Sequence, residues 1–294
     1  MAALPPARDA ARVWPAPAKL NLFLHVTGRR PDGFHTLQTV FQFLDIADGI
    51  GLRVESGGGI RRSTPFPGVP AERDLTVRAA RLLQAEAGTD HGVTIAIDKR
   101  LPLGGGLGGG SSDAATTLVV LNQLWGIGFS VDRLAELGLR LGADVPVFVR
   151  GQAAWAEGVG ERLTPVTLPE PWYLIIVPAV TVSTAEVFSA PELTRHTPPI
   201  TIADFLSGVG GNDCEPVVRR RYPEVGHALD WLGRYAPARL TGTGACVFAS
   251  FAERGDAQQV LTQLPAGWRA FIARGRNRSP LHERLDADTS GTRF

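Results

Sequence analysis

Six glycines stand in a run of seven within Pro102-Leu103-Gly104-Gly105-Gly106-Leu107-Gly108-Gly109-Gly110-Ser111-Ser112-Asp113, which closes on two hydroxyls and an acid. Glycine has no Cβ to obstruct a ligand and reaches positive φ without strain. Downstream, Ala114 to Trp125 carries apolar residues at 114, 118, 121 and 125, a helical period. Upstream, Val93-Thr94-Ile95-Ala96-Ile97 alternates β-branched residues and reads as a strand. Strand, glycine loop and helix N-terminus in that order aim unpaired backbone N–H groups and a positive dipole end at an anion. The chemistry expected of the loop is to hold the phosphates of a nucleotide. A flexible surface loop is the competing reading.

Gly104-x-Gly106-x-x-Gly109 also spells a dinucleotide motif, which a glycine run this dense generates by chance. A dinucleotide fold places that motif in its first βαβ unit, with an acid about 20 residues on. Here that position falls in the neutral stretch Leu124 to Phe129. No Gly-Lys-Ser/Thr follows the loop, so it is not a Walker A element.

Four other places hold residues able to do chemistry. In Ala18-Lys19-Leu20-Asn21-Leu22-Phe23-Leu24-His25-Val26 a period of two puts Lys19, Asn21 and Phe23 on one strand face, either a site wall or a solvated face. Pro31-Asp32-Gly33 is a turn from which Phe34 and His35 emerge together. An aromatic beside a histidine can stack on and hydrogen-bond a heterocyclic base; a structural histidine is the plainer reading. Asp144, in Leu141-Gly142-Ala143-Asp144-Val145-Pro146-Val147-Phe148, is the one acid of an apolar segment. A buried carboxylate needs a cation or donor, for which Lys19 is available; capping a helix is the alternative. Thr241-Gly242-Thr243-Gly244-Ala245-Cys246 is a small-residue turn that either meets a ligand or simply turns.

These residues need a framework. Strands are expected over 18–26, 38–46, 50–55, 93–97 and 172–177, with 151–157 and 162–167 as a hairpin. Helices are expected from Asp74 (N-cap) to Ala85, over 114–125, from Ser130 (N-cap), and over 225–232, with long loops at 57–59, 64–70 and 208–212. A chain of 294 residues exceeds one typical core. A boundary near 165, after which Pro169 and Pro171 precede a new apolar strand, gives domains 1–165 and 166–294. The second half mixes strand and helix signals, so the class is α/β (α+β).

Composition narrows the partners. The chain is 44% hydrophobic and 20% charged with a net charge of +1, ordinary for a globular protein and too neutral for a nucleic-acid partner. Cys214 and Cys246 are too few for a disulfide framework and are expected to be buried thiols in a cytoplasmic protein. No apolar run approaches the roughly 18 residues of a membrane span, so no membrane partner is expected. Met1 to Arg12 lacks the apolar core of a signal peptide and is expected to be disordered, as is the polar tail beyond Ser279.

Pro17-Ala18-Lys19-Leu20-Asn21-Leu22, the loop ending Gly108-Gly109-Gly110-Ser111-Ser112-Asp113, and Thr241 to Cys246 resemble, in order, the three motifs of the GHMP kinase superfamily. Gly33-Phe34-His35, Leu141 to Phe148 and Gly275-Arg276-Asn277-Arg278-Ser279-Pro280 resemble its branch acting on CDP-methylerythritol in non-mevalonate isoprenoid biosynthesis. The likeness runs from about Trp14 to Pro280. It implies a two-domain GHMP kinase fold, with a ribosomal protein S5 domain 2-like N-terminal domain for ATP binding and catalysis. A ferredoxin-like C-terminal domain for substrate completes it. It also implies ATP and Mg²⁺, and transfer of the γ-phosphoryl group to a tertiary hydroxyl by a monomer or homodimer.

By the same resemblance Asp144 is the base, and Lys19 stabilises its carboxylate and the developing alkoxide. The loop 102–112 wraps the ATP phosphates, Ser112 helps hold Mg²⁺, and Lys99, Asp74 and Leu75 line the adenine pocket. Asn21, Phe34 and His35, with Thr184 and Phe188 opposite and Gly242, Thr243 and Gly244 nearby, receive the cytidyl substrate. Departures are Phe34 in place of Tyr, Asp74 in place of Asn, no identifiable Glu for the metal, and an extension past Pro280. A homoserine or mevalonate kinase, or a regulator that kept the fold without turnover, are the other readings.

Overall fold

The structure, a computed structural model, describes residues 12–65 and 69–291, the last three by backbone alone. The expectation for residues 1–11, part of the Pro-rich loop (66–68) and the final residues 292–294 lie outside the described residues.

Two long strands, β1 (Val13–Arg29) and β2 (His35–Glu55), pair antiparallel across the Pro31–Gly33 turn. The register slips between Pro17 and Lys19 and again between Asn21 and Leu24. Such irregularities re-aim side chains, and these two bracket the lysine and the asparagine. The first half continues through β3 (Ile60–Arg62), α1 (Leu75–Ala87), β4 (Gly92–Asp98), α2 (Gly109–Leu124), α3 (Val131–Leu139), α4 (Val145–Arg150), β5 (Ala154–Glu157) and β6 (Arg162–Pro165). The second half runs β7 (Trp172–Val177), α5 (Thr184–Ser189), α6 (Ile202–Leu206), α7 (Glu215–Arg221), α8 (Pro223–Leu232), β8 (Arg239–Leu240), β9 (Val247–Phe251), α9 (Arg254–Leu261), β10 (Arg269–Arg276) and α10 (Pro280–Gly291).

The sheet order is β3-β4-β2-β10-β7-β9-β8, with β1 and β5 also on β2, and β6 on β5. β10 joins the halves: Gly275 and Arg276 pair with Leu44 and Phe43 of β2, and residues 269–274 pair with β7. Under the first half, Leu118 and Leu121 of α2 and Phe148 of α4 pack with Phe43 and Ile95. In the second half, Leu174, Ile176 and Val247 pack against Leu229 and Leu232 of α8. A third cluster bridges them and contains Leu107 of the glycine run, with Leu20, Leu44, Ile175, Cys246 and Phe248. The glycine loop is thereby fastened to both halves by the buried side chain of Leu107.

The structure corrects three expectations and decides between the two readings of the β1 face. Residues 38–46 and 50–55 form one strand. The helix after the glycines starts at Gly109, because burial of Ser112 through Leu118 outweighs the helix cost of two glycines. The face bearing Lys19, Asn21 and Phe23 is buried, each residue at 3% exposure or less. The tail beyond Ser279 is a helix, because Leu281 and Leu285 form an apolar edge that packs on the first core. Both cysteines are buried and free, as expected, with burial pushing each thiol up to about 12.

Candidate active site

A cleft of about 860 Å³ lies between the β1–β2 strands, the glycine loop, α5 and the Thr241–Cys246 turn. Lys19 sits at its floor. Its backbone N–H donates to the Leu107 carbonyl (2.9 Å) and its ammonium lies over the Phe41 ring (5.3 Å). The ammonium donates to Asn21 Oδ1 (2.5 Å) and the Gly106 carbonyl (3.2 Å), and pairs with Asp144 Oδ2 (3.1 Å). Both Asp144 alternatives hold in part. Asp144 occupies the N-cap position of α4, yet its side chain makes no cap bond and turns to the lysine. Its side chain stays 34% exposed toward the cleft, while Lys19 is 3% exposed. A carboxylate that meets solvent beside a buried, oriented ammonium can take a proton from a bound hydroxyl.

Asn21 supports the lysine more than it offers itself to a ligand. Its Oδ1 is held by Lys19, its Nδ2 donates to Thr39 Oγ1 (3.0 Å), and its backbone N–H donates to Thr241 Oγ1 (3.0 Å). Thr39 and Phe41 were missed in the sequence, and Thr241 was singled out only as part of its turn. Thr39 and Phe41 sit on the inward alternation of β2, which a reading of β1 alone does not use.

The glycine loop lies on the second glycine turn. The Ala245 and Cys246 N–H groups donate to the Gly104 and Gly105 carbonyls (3.2 and 3.1 Å). Gly106, at φ 75°, could not carry a Cβ, which would stand 2.3 Å from the Thr241 carbonyl oxygen. Packing between the two turns thus explains much of the glycine run. The residues beyond it, Gly109, Gly110 and Ser111, form the first turn of α2 on the cleft wall, with Gly108 as an N-cap lacking any side-chain cap. First-turn N–H groups have no intrahelical acceptor and suit phosphate oxygens.

Pro102 through Ser111, Lys99 and Leu75 line the cleft; Ser112, Asp74 and Gly244 do not. Ser112 is fully buried, its Oγ without a hydrogen-bond partner. Asp74 caps α1 through Thr76 and pairs with Arg62 (2.6 Å). Burial acts to raise its carboxyl, but the Thr76 and Arg62 bonds outweigh it and hold the group low.

Lys99 reaches two acids, Asp48 Oδ2 (2.5 Å) and Asp113 Oδ2 (2.7 Å). Asp48 also accepts the N–H groups of Arg100 and Leu101 (2.6 and 2.8 Å), so it fixes the strand end where Lys99 enters the cleft. Burial, with the Asp48 charge, pushes Asp113 up to about 7 against the pull of Lys99. For Lys99, burial works downward but the two carboxylates prevail and raise it.

At the opposite end Phe34 stands 64% exposed at the mouth. His35 stacks on Phe188 (centroids 5.1 Å apart, 25° between planes), and Thr184 and Thr243 share a hydroxyl hydrogen bond (2.9 Å). Burial first, then Arg195 and Arg29, hold His35 below the usual imidazole range. Among the described residues no group of three or more His, Cys, Asp or Glu could cage a metal ion, and no helix is long and apolar enough to cross a membrane.

Comparison with known proteins shows the family and the fold. Residues 74–152 match the family model described as GHMP kinases N terminal domain, and residues 200–270 the one described as GHMP kinases C terminal. A "4-diphosphocytidyl-2-C-methyl-D-erythritol kinase" of Ectopseudomonas mendocina (strain ymp) is 62% identical over 278 residues, covering 95% of this chain and 96% of that protein. A crystal structure of 4-(cytidine 5'-diphospho)-2C-methyl-D-erythritol kinase superposes with a TM-score of 0.79 at 33% identity, covering 90% of this chain and 99% of that one. Mevalonate kinase of Methanococcus jannaschii superposes at 0.68 with 15% identity, over 92% of this chain and all of that one, a likeness of fold alone.

Proposed function

The chain belongs to the GHMP kinase family, and we propose that it transfers the γ-phosphoryl group of ATP to the 2-hydroxyl of 4-diphosphocytidyl-2-C-methyl-D-erythritol. The products are the 2-phosphate and ADP, in non-mevalonate isoprenoid precursor biosynthesis. The observation that carries the reading is the Lys19–Asp144 pair set between a phosphate-binding helix start and an aromatic end of one cleft.

Phosphoryl transfer asks the protein for alignment and charge stabilisation more than for covalent work. The loop from Pro102 and the first turn of α2 hold the ATP phosphates through backbone N–H groups, with Leu75 and Lys99 toward adenine. Asp144 accepts the proton of the attacking hydroxyl as its oxygen bonds to the γ-phosphorus and the bond to ADP breaks. Lys19 steers Asp144 and stabilises the alkoxide. Mg²⁺, when bound with ATP, neutralises charge on the β- and γ-phosphates. The cleft-facing Ser111 would hold it as a hydroxyl ligand, because Mg²⁺ bound with phosphates keeps most of its waters and needs few protein ligands, while Ser112 lies buried behind the cleft wall. Phe34, His35 and Phe188 receive the cytosine, with Thr184, Gly242 and Thr243 on the far wall. Residues 1–165 act as the ATP-binding and catalytic domain and also supply Phe34 and His35 to the substrate, while 166–294 supply the rest of the substrate wall. Buried free thiols fit a cytoplasmic setting.

Asp144→Asn is expected to cut kcat in an ADP-release assay by about 10²–10⁴-fold, the usual contribution of a general base, while the Kd for ATP stays within about twofold. An unchanged kcat would remove Asp144 from the chemistry.

A further inference from the structure

We propose that Arg195 is a positioning residue that fixes His35 as its neutral, Nδ1-protonated tautomer and thereby sets the cleft's preference for cytosine over uracil. The proposal rests on the cytidyl reading above and deepens it.

Arg195 spends all three of its nitrogens on one corner of the cleft. Nε donates to His35 Nε2 (3.1 Å), Nη1 to the Leu193 carbonyl (3.0 Å), and Nη2 to the Phe188 and Ala190 carbonyls (2.9 and 2.6 Å). A guanidinium has no acceptor and keeps its charge at every working pH. The His35 nitrogen facing it must therefore be the bare one, and in a neutral imidazole the proton then sits on Nδ1.

The surroundings hold the same state. Arg29, the cross-strand partner of His35 on β1, adds a second positive charge. The acids of the neighbouring segment face elsewhere: Glu186 accepts from the Tyr222 hydroxyl, Glu192 pairs with Arg221, and Asp32 pairs with Arg30. A second proton on His35 would face two arginines. The ring is also clamped on its face, since it stacks on Phe188, whose carbonyl the same guanidinium holds.

His35 lines the cleft, and in this proposal its Nδ1–H is the donor that meets the base. Cytosine presents acceptors at O2 and N3, whereas uracil presents a donor at N3. A donor set against a donor leaves both groups unpaired once the base is bound, so the base with the wrong N3 is rejected. Arg195 itself need not touch the substrate; it acts through the tautomer.

Two-bond ¹⁵N–¹H correlation spectra of the ligand-free enzyme read the tautomer directly. The wild type is expected to show His35 protonated at Nδ1. Arg195→Met should move it toward the Nε2–H form and raise its titration midpoint toward the ordinary value. Arg195→Gln, which keeps a neutral donor, should retain most of the Nδ1–H form. With the cytidyl substrate, Arg195→Met is expected to raise KM by about tenfold or more while kcat and the KM for ATP change less than twofold. Preference over the uridine-diphosphate-linked analogue should fall by about 10–100-fold. A wild-type His35 protonated at Nε2, or spectra and preference unmoved in both variants, would overturn the proposal. Failure of the wild type to turn over the cytidyl substrate would instead sink the parent reading, and the spectra would still report on the tautomer.

Discussion

Asn21 separates two roles that one strand face can play. The resemblance to other kinases assigns it to the cytidyl substrate, but its amide is committed at both ends, to Lys19 and to Thr39. Asn21→Ala frees an ammonium that is otherwise held in one place, and a displacement of about 1 Å at a reacting group can cost 10²-fold. The expected result is a kcat lower by about 10–100-fold with the KM for the cytidyl substrate changed less than threefold. A raised KM with normal kcat would return Asn21 to the substrate pocket. Lys19, Asp144, Phe34 and His35 were legible because each is a reactive or aromatic type standing out from its segment. Asp48 and Arg195 were not. Their partners lie 51 and 160 residues away along the chain, and no local pattern carries such a pairing.

The glycine loop shows how an element can be read correctly for an incomplete reason. Strand, loop and helix were found in order, and the loop does end at a bare helix N-terminus. Yet Gly105 and Gly106 are required by the Thr241–Cys246 turn, where a Cβ would stand 2.6 Å from Cys246 Sγ or 2.3 Å from the Thr241 carbonyl. Gly110 is different, since a Cβ there would make ordinary contact with Leu75 at 3.5 Å. Gly106→Ala combines a backbone clash with a positive φ, and each such strain costs about 1–3 kcal/mol. It is therefore expected to lower Tm by several degrees and abolish turnover. Gly110→Ala should melt within about two degrees of the wild type, as an alanine at a helix start costs the fold little. Equal melting temperatures for the two variants would mean that the loops do not support each other as described. Helix α10 was missed because, among its described side chains, Leu281 and Leu285 are the apolar ones that reach the core, too few to mark a period in a polar tail.

The whole molecule brings together groups that the chain keeps far apart. β10 closes one sheet across both halves, and the Leu107 cluster fastens the loop at that junction. Lys19 from the first strand, the loop near residue 106, Asp144 at the start of α4 and the turn at 241 therefore meet around one cleft. The class and the positions of β4, β7, α1 and α8 followed from periodicity, whereas β3, α4 to α7, α9 and β10 were not anticipated. The sheet order did not, because pairing of β10 with β2 is a long-range choice made by packing. In the proposed reading the cleft has a phosphate end, a catalytic pair and an aromatic end, and a simple alcohol would leave the third empty. Steady-state ADP release with ATP and Mg²⁺, comparing 4-diphosphocytidyl-2-C-methyl-D-erythritol with homoserine and mevalonate, weighs the third part. The expected result is a kcat/KM for the cytidyl substrate at least about 10⁴-fold above either alcohol, as for sites whose polar groups go unpaired with the wrong ligand. Equal or faster turnover of homoserine or mevalonate would overturn the assignment.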